Sequence, residues 1–218
     1  MQTDLQLAWS GKGWAHVDTP DGEFEGKVQL NVEAPTRARL IFESSGAFGL
    51  VSERVAVALP GDGWVLTHQK RADQLDRLPF AESRLRQWLP LGQPADVFAL
   101  MSGLPPWPST QELGRLLRQA RIVRVEKDGR RLTYRLLSID GNEVYLLRLD
   151  DEVLVSFEWS VRGERRLRIE YHEWGTQDGL RRPAVLRIAA PQSSVTAEVT
   201  LDDWRRRDDF TDADFEVY

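Results

Sequence analysis

The residues able to do chemistry are scattered along this chain. The three histidines, His16, His68 and His172, lie far apart, and none has a neighbour at metal-ligand spacing. Tyr171, His172 and Glu173 are consecutive, and consecutive strand residues point to opposite faces. Gly11-Lys12-Gly13 lacks the rest of a phosphate-cradling motif, and no nucleophile elbow, P-loop or dinucleotide fingerprint occurs. The acidic pairs Asp150-Asp151, Asp202-Asp203 and Asp208-Asp209 fall in turn-like segments. A glycosidase pair is defined by separation in space, which sequence spacing does not give. The chain has no cysteine, which excludes disulfides, thiolate metal sites and cysteine nucleophiles. The expectation is a protein that is not an enzyme and carries neither metal nor cofactor.

The elements around these residues are mostly strands. In 22–33, Val28, Leu30 and Val32 alternate with Lys27, Gln29, Asn31 and Glu33, so the apolar side chains share one face. After the bend at Pro35, Ala38, Leu40 and Phe42 alternate with Arg37 and Arg39, while Ile41 breaks the polar row. Val55 and Val57 continue the pattern, and Pro60-Gly61-Asp62-Gly63 turns into a strand over 64–68. Ser10-Gly11-Lys12-Gly13 is placed to bulge or bend the first strand. From residue 122 onward, alternating runs are separated by Asp-Gly and similar turns, the strongest short-range hairpin signal. Val153, Val155, Phe157 and Trp159 alternate against Leu154, Ser156, Glu158 and Ser160.

The pattern changes over about 71–120. Residues 94–103 read as a short helix, with Pro94 and Asp96 in its first turn and Gly103 placed to stop it. Residues 111–119 read as a second helical piece. Leu104-Pro105-Pro106-Trp107-Pro108 fits neither helix nor central strand. The fold expected is mainly β, about ten or eleven antiparallel strands in up-and-down order, interrupted once by helix. No Gly- or Ser-rich linker occurs, so a single domain over 1–218 is preferred to two small ones.

At 218 residues the chain can bury a sizeable core. A net charge of −5 gives no reason to expect nucleic acid, and no apolar run approaches the roughly 18 residues of a membrane helix. The arginine pairs Arg130-Arg131, Arg165-Arg166 and Arg181-Arg182, and the run 205–207, read as solvated turn and edge charges. Met1-Gln2-Thr3-Asp4 runs straight into a strand-like segment. Either the chain is cytosolic, or it begins after a trimmed targeting segment.

Eight tryptophans admit two readings: ordinary sheet and core residues, or the lining of an apolar ligand cavity. Singly, the core reading is favoured. For the inner face of so large a sheet the cavity is favoured, because a closed or half-closed barrel has room for a ligand. Phe48 and Leu50, in a loop of small residues, either tuck under a sheet edge or protrude toward a lipid or a partner.

The order of these elements resembles the LolA/LolB-like lipoprotein localisation family. The resemblance rests on the strand Glu25-Gly26-Lys27-Val28-Gln29-Leu30-Asn31-Val32 leading to Ala34-Pro35, and on the strand over 37–42. It continues through the Gly46-Ala47-Phe48-Gly49 loop, the Gly61-Asp62-Gly63-Trp64 turn and the helical 89–104 segment ending in Gly103-Leu104-Pro105. The Gly179-Leu180-Arg181-Arg182-Pro183 crossing and the terminal Asp212-Ala213-Asp214-Phe215 complete it.

The resemblance implies an unclosed antiparallel β-barrel with a helical lid over an apolar cavity that binds acyl chains of lipoproteins. Val28, Leu30, Val32, Leu40, Phe42, Val55 and Val57 would line the cavity, Trp88, Phe98 and Met101 would come from the lid, and Phe48 and Leu50 would touch the membrane. Ala34 stands where the soluble-carrier branch has a lid-clasping arginine, and Phe48 matches the receptor branch, so a receptor-like member is favoured. The lipidated cysteine and N-terminal helix of those receptors have no counterpart in this sequence. The expected setting is the periplasm or the inner leaflet of the outer membrane, with acyl chains as ligand and a monomer as the working state. The alternative is a non-catalytic interaction module of an envelope complex, with its core filled by its own side chains.

Overall fold

A computed structural model describes residues 8–33, 37–45, 52–59, 64–68, 75–79, 86, 88–91, 94–106, 121–138 and 140–215. Among them are thirteen strands and one α-helix. The strands are β1 (Ala8–Thr19), β2 (Gly22–Glu33), β3 (Arg37–Ser45), β4 (Ser52–Leu59), β5 (Trp64–His68), β6 (Leu75–Pro79), β7 (Arg121–Asp128), β8 (Arg131–Leu137), β9 (Glu143–Asp150), β10 (Val153–Val161), β11 (Glu164–Gln177), β12 (Leu180–Ala190) and β13 (Val195–Arg206). The helix, α1, is Pro94–Met101.

The strands form one antiparallel sheet in the order β6-β5-β4-β3-β2-β1-β13-β12-β11-β10-β9-β8-β7. Every neighbour is a sequence neighbour except β1 and β13, which pair at the centre. The two halves of the chain thus fan out in opposite directions from a seam where the first and last strands meet. β6 and β7 are the two edges, so the barrel is unclosed. The fold class is the expected one, but the strand count exceeds ten or eleven. One added strand, β6, falls in the segment 71–120, whose apolar spacing reads as helical.

Gly13 permits the seam. The β1–β13 register slips between Lys12 and Gly13, and a Cβ at Gly13 would overlap the Thr200 carbonyl oxygen and lie 2.8 Å from Leu201 Cα. The bulge expected at this stretch is therefore a close backbone approach that any side chain would block.

The strand alternation holds in β2, where Val28, Leu30 and Val32 are buried. It fails in β10. Leu154 pairs with Leu149 but Ser156 pairs with Arg148, so Val155 is an extra residue. The bulge puts Leu154, not Val155, on the core face with Phe157 and Trp159. It also fails near the end of β11. β11 runs on to Gln177, and the chain turns at Asp178-Gly179. Glu173 adopts the left-handed region at φ 54°, and Trp174 packs beside Tyr171 with ring centroids 6.3 Å apart.

A second, smaller cluster lies on the outer face. Ile41 is buried on the face opposite Leu40 and Phe42, which explains why it interrupts a polar row. The C-terminal segment crosses β2 and β3 on that face. Asn31 donates to the Asp214 carbonyl oxygen at 2.8 Å, Arg37 pairs with Glu33 at 2.6 Å and Asp212 at 2.5 Å, and its guanidinium lies 4.6 Å from the Phe215 ring centre. A capping box between Thr211 and Asp214 forms the 3₁₀ turn Asp212–Asp214, and Phe215 follows it into a buried position.

Candidate functional site

The inner face of the sheet carries one continuous apolar core, and α1 lies against it. Pro94 opens the helix, and Asp96 sits in the first turn, where a carboxylate suits the helix dipole. Val97, Phe98, Leu100 and Met101 are buried.

A Schellman motif ends the helix. Leu104 N–H bonds the Ala99 carbonyl at 2.9 Å and Gly103 N–H bonds that of Leu100 at 3.0 Å, with Gly103 at φ 75°. A Cβ on Gly103 would collide with the Trp174 ring and come within 3.0 Å of Pro183 Cδ. Glycine is thus required twice, by the backbone turn and by the closeness of the sheet.

Two side chains of the sheet tie down the segments that flank the helix. Tyr171 on β11 donates its hydroxyl to the Leu104 carbonyl at 2.8 Å. Burial pushes its pKa well above the ordinary tyrosine range, so it stays a donor in alkaline solution as well as at neutral pH. On the other side, Ser193 in the β12–β13 connection donates to the Trp88 carbonyl at 2.7 Å. The Trp88 ring lies 5.7 Å from that of Phe24 on β2. No sequence signal marks Tyr171 or Ser193 for this work. Tyr171 reads as one more apolar residue of an alternating strand, and Ser193 as a turn residue.

The remaining expected site residues fall as follows. Val28, Leu30 and Val32 are buried in the inner core, and Leu40 and Phe42 pack against it, half-buried. Val55 and Val57 lie on β4, whose side chains are outside the described residues. Phe98 and Met101 are buried in α1, and Trp88 is half-buried at its approach. Phe48 and Leu50 lie outside the described residues, as does the helical piece read over 111–119.

A cavity of about 10 Å³, room for about one water, is lined by Leu91, Asp96, Pro106, Tyr145, Phe157 and Trp159 among others. Its walls come from the sheet, from the segments flanking α1 and from α1 itself.

The tryptophans divide. Trp9 and Trp204 are buried core residues, and Trp204 donates to the Leu180 carbonyl at 3.3 Å. Trp14 is 40% exposed and bonds Glu25 at 2.9 Å. Trp159 and Trp174 face the helical segment with indole nitrogens that are buried and, among the described residues, have no hydrogen-bond partner. One arginine departs from the expectation of turn charges: Arg182 is 4% exposed, with its guanidinium 5.0 Å from the Trp9 ring centre. The others are half-buried or exposed. Glu158, on the outer face, is buried between Arg148 at 3.4 Å and Arg165 at 3.1 Å, an ion-pair ladder. Among the described residues no group of three His, Asp or Glu is placed to hold a metal ion, and no helix is long and apolar enough to cross a membrane.

Solved structures share this arrangement over nearly the whole chain. A LolA superfamily protein from Nitrosomonas europaea is 14% identical, with a TM-score of 0.58 over 97% of this chain and 91% of that one. A DUF1329 family protein from Desulfovibrio piger is 11% identical, with a TM-score of 0.63 over 99% and 92%. An outer membrane lipoprotein-sorting protein domain from Vibrio parahaemolyticus is 11% identical, with a TM-score of 0.57 over 96% and 89%. No family model and no curated protein matches the sequence. At these identities the likeness is one of fold, and the fold is LolA/LolB-like.

Proposed function

We propose that this LolA/LolB-like fold binds the acyl chains of lipoproteins on its inner face, in exchange for α1, and helps deliver lipoproteins to the outer membrane. One observation carries the reading: α1 buries Val97, Phe98, Leu100 and Met101 against an apolar sheet, with polar ties at the segments flanking it. Four such side chains are worth about 6–12 kcal/mol at about 1.5–3 kcal/mol each. An acyl chain gains about 0.8 kcal/mol per buried CH₂, so about a dozen methylenes match the helix. Ligand and lid are then close to balanced, which is what loading and release both need.

In this reading Val28, Leu30, Val32, Leu40, Phe42, Val55 and Val57 line the opened cavity, and Trp88, Phe98 and Met101 belong to the lid. Phe48 and Leu50 meet the outer-membrane surface in the receptor-like manner. The protein works as a monomer in the periplasm, performs no catalysis and binds no nucleic acid. A lipoprotein-sorting domain among the proteins of the same fold supports the ligand class.

The test is extraction and mass spectrometry of lipids carried by the purified protein, with titration of a fluorescent fatty acid. Saturable binding is expected. Absence of both carried lipid and saturable binding sinks the idea. A second reading, a non-catalytic interaction module of an envelope complex, is favoured by the small size, about 10 Å³, of the cavity between α1 and the sheet. It predicts no binding in either assay.

A further inference from the structure

We infer that the indole N–H groups of Trp159 and Trp174 bind the carbonyl oxygens of the acyl ligand, so that the inner face selects esters over plain hydrocarbon chains. This rests on the acyl-binding reading above and adds a specificity to it.

Both nitrogens are buried, and among the described residues neither has an acceptor. An indole N–H can only donate, and a buried one normally finds a partner. Trp204 on the same sheet follows that rule, bonding the Leu180 carbonyl. The two exceptions occur where the helical segment covers the sheet. Trp159 lines the small cavity with Leu91 and Pro106, and its ring stacks on Tyr145 with an interplanar angle of 4°. Trp174 packs against Gly103, just past the end of α1, and against Tyr171. Both rings are held by aromatic neighbours, so their orientation is set before a ligand arrives. An acyl ligand entering as the helix leaves would meet two fixed indole donors in a largely apolar face. An ester carbonyl satisfies such a donor, whereas an ether oxygen is a poorer acceptor and a methylene is none.

The experiment is competition for a bound fluorescent fatty acid by dioctanoylglycerol and by its dioctyl ether analogue, on the wild type, Trp159→Phe, Trp174→Phe and the double variant. Phenylalanine keeps an aromatic ring and removes the donor. The wild type is expected to prefer the diester by about tenfold, the worth of one good hydrogen bond. The double variant is expected to lose that preference, its diester affinity falling to that of the ether. An equal affinity of the wild type for ester and ether overturns the inference and leaves acyl binding standing. So does a preference that survives in the double variant. Binding of neither competitor nor probe by the wild type overturns both.

Discussion

The Tyr171 hydroxyl donates to the Leu104 carbonyl oxygen at 2.8 Å, joining the middle of the second half-sheet to the chain just beyond α1. Removing the hydroxyl by Tyr171→Phe leaves that carbonyl without this partner, at a cost of about 1–2 kcal/mol. The loss should appear first as faster amide exchange in α1, because the bond holds the helical segment rather than the sheet. It also predicts an alkaline limit. The folded-state pKa is raised above the ordinary 10.0 by burial. The stabilisation is full below that ordinary value and is lost as pH rises through the folded one, since the unfolded chain ionises first. Wild-type melting temperature should fall above about pH 10, and Tyr171→Phe should flatten that fall. Parallel alkaline slopes in the two proteins would refute the assignment.

Gly103→Ala is expected to be worse than its size suggests. The residue sits at φ 75°, and the added Cβ would meet Trp174 and Pro183. Left-handed strain adds about 1 kcal/mol and overpacking about 1–3 kcal/mol, so urea unfolding should show a loss of about 2–4 kcal/mol. Tryptophan emission should shift as well, because Trp174 must move to admit the methyl group.

The β10 bulge inverts an expectation that can be tested with two alanines. Leu154 is buried in the core, whereas Val155 is the unpaired extra residue and is half-buried. Leu154→Ala should cost about 2–4 kcal/mol and Val155→Ala less than about 1 kcal/mol. Plain alternation predicts the reverse order, so denaturation curves of the two variants decide between them.

That inversion marks the boundary of what the sequence made legible. Period-two patterning in β2 identified its buried face, because no bulge interrupts it. The α1 boundaries were legible because Pro94, Asp96 and Gly103 are chemical signals tied to helix ends. The bulge in β10 was not, since an extra residue in a row of valine, leucine and phenylalanine changes no residue type. The strand β6 was hidden because Leu75–Pro79 is too short for alternation to be told from helical spacing. Of the site, the apolar wall was readable residue by residue. The Tyr171 and Ser193 ties, and the unpaired indoles of Trp159 and Trp174, depend on which distant backbone or side chain comes to lie opposite, and local pattern carries no such information.

The C-terminal strap separates apolar from ionic contributions in one place. Arg37 touches both Asp212, through an ion pair of 2.5 Å, and Phe215, through its ring. The Asp212 side chain is 93% exposed, so water and salt screen the pair, and Asp212→Ala should cost less than about 0.5 kcal/mol. Phe215 is buried and meets Phe210 edge-on at 5.0 Å, so Phe215→Ala should cost about 3–5 kcal/mol. Because the strap lies on the outer face, away from α1, its loss should leave binding of a fluorescent fatty acid unchanged. Limited proteolysis should then cut within 208–215 in Phe215→Ala and not in Asp212→Ala. Cleavage in Asp212→Ala and not in Phe215→Ala would mean that the ion pair, not the ring, holds the strap.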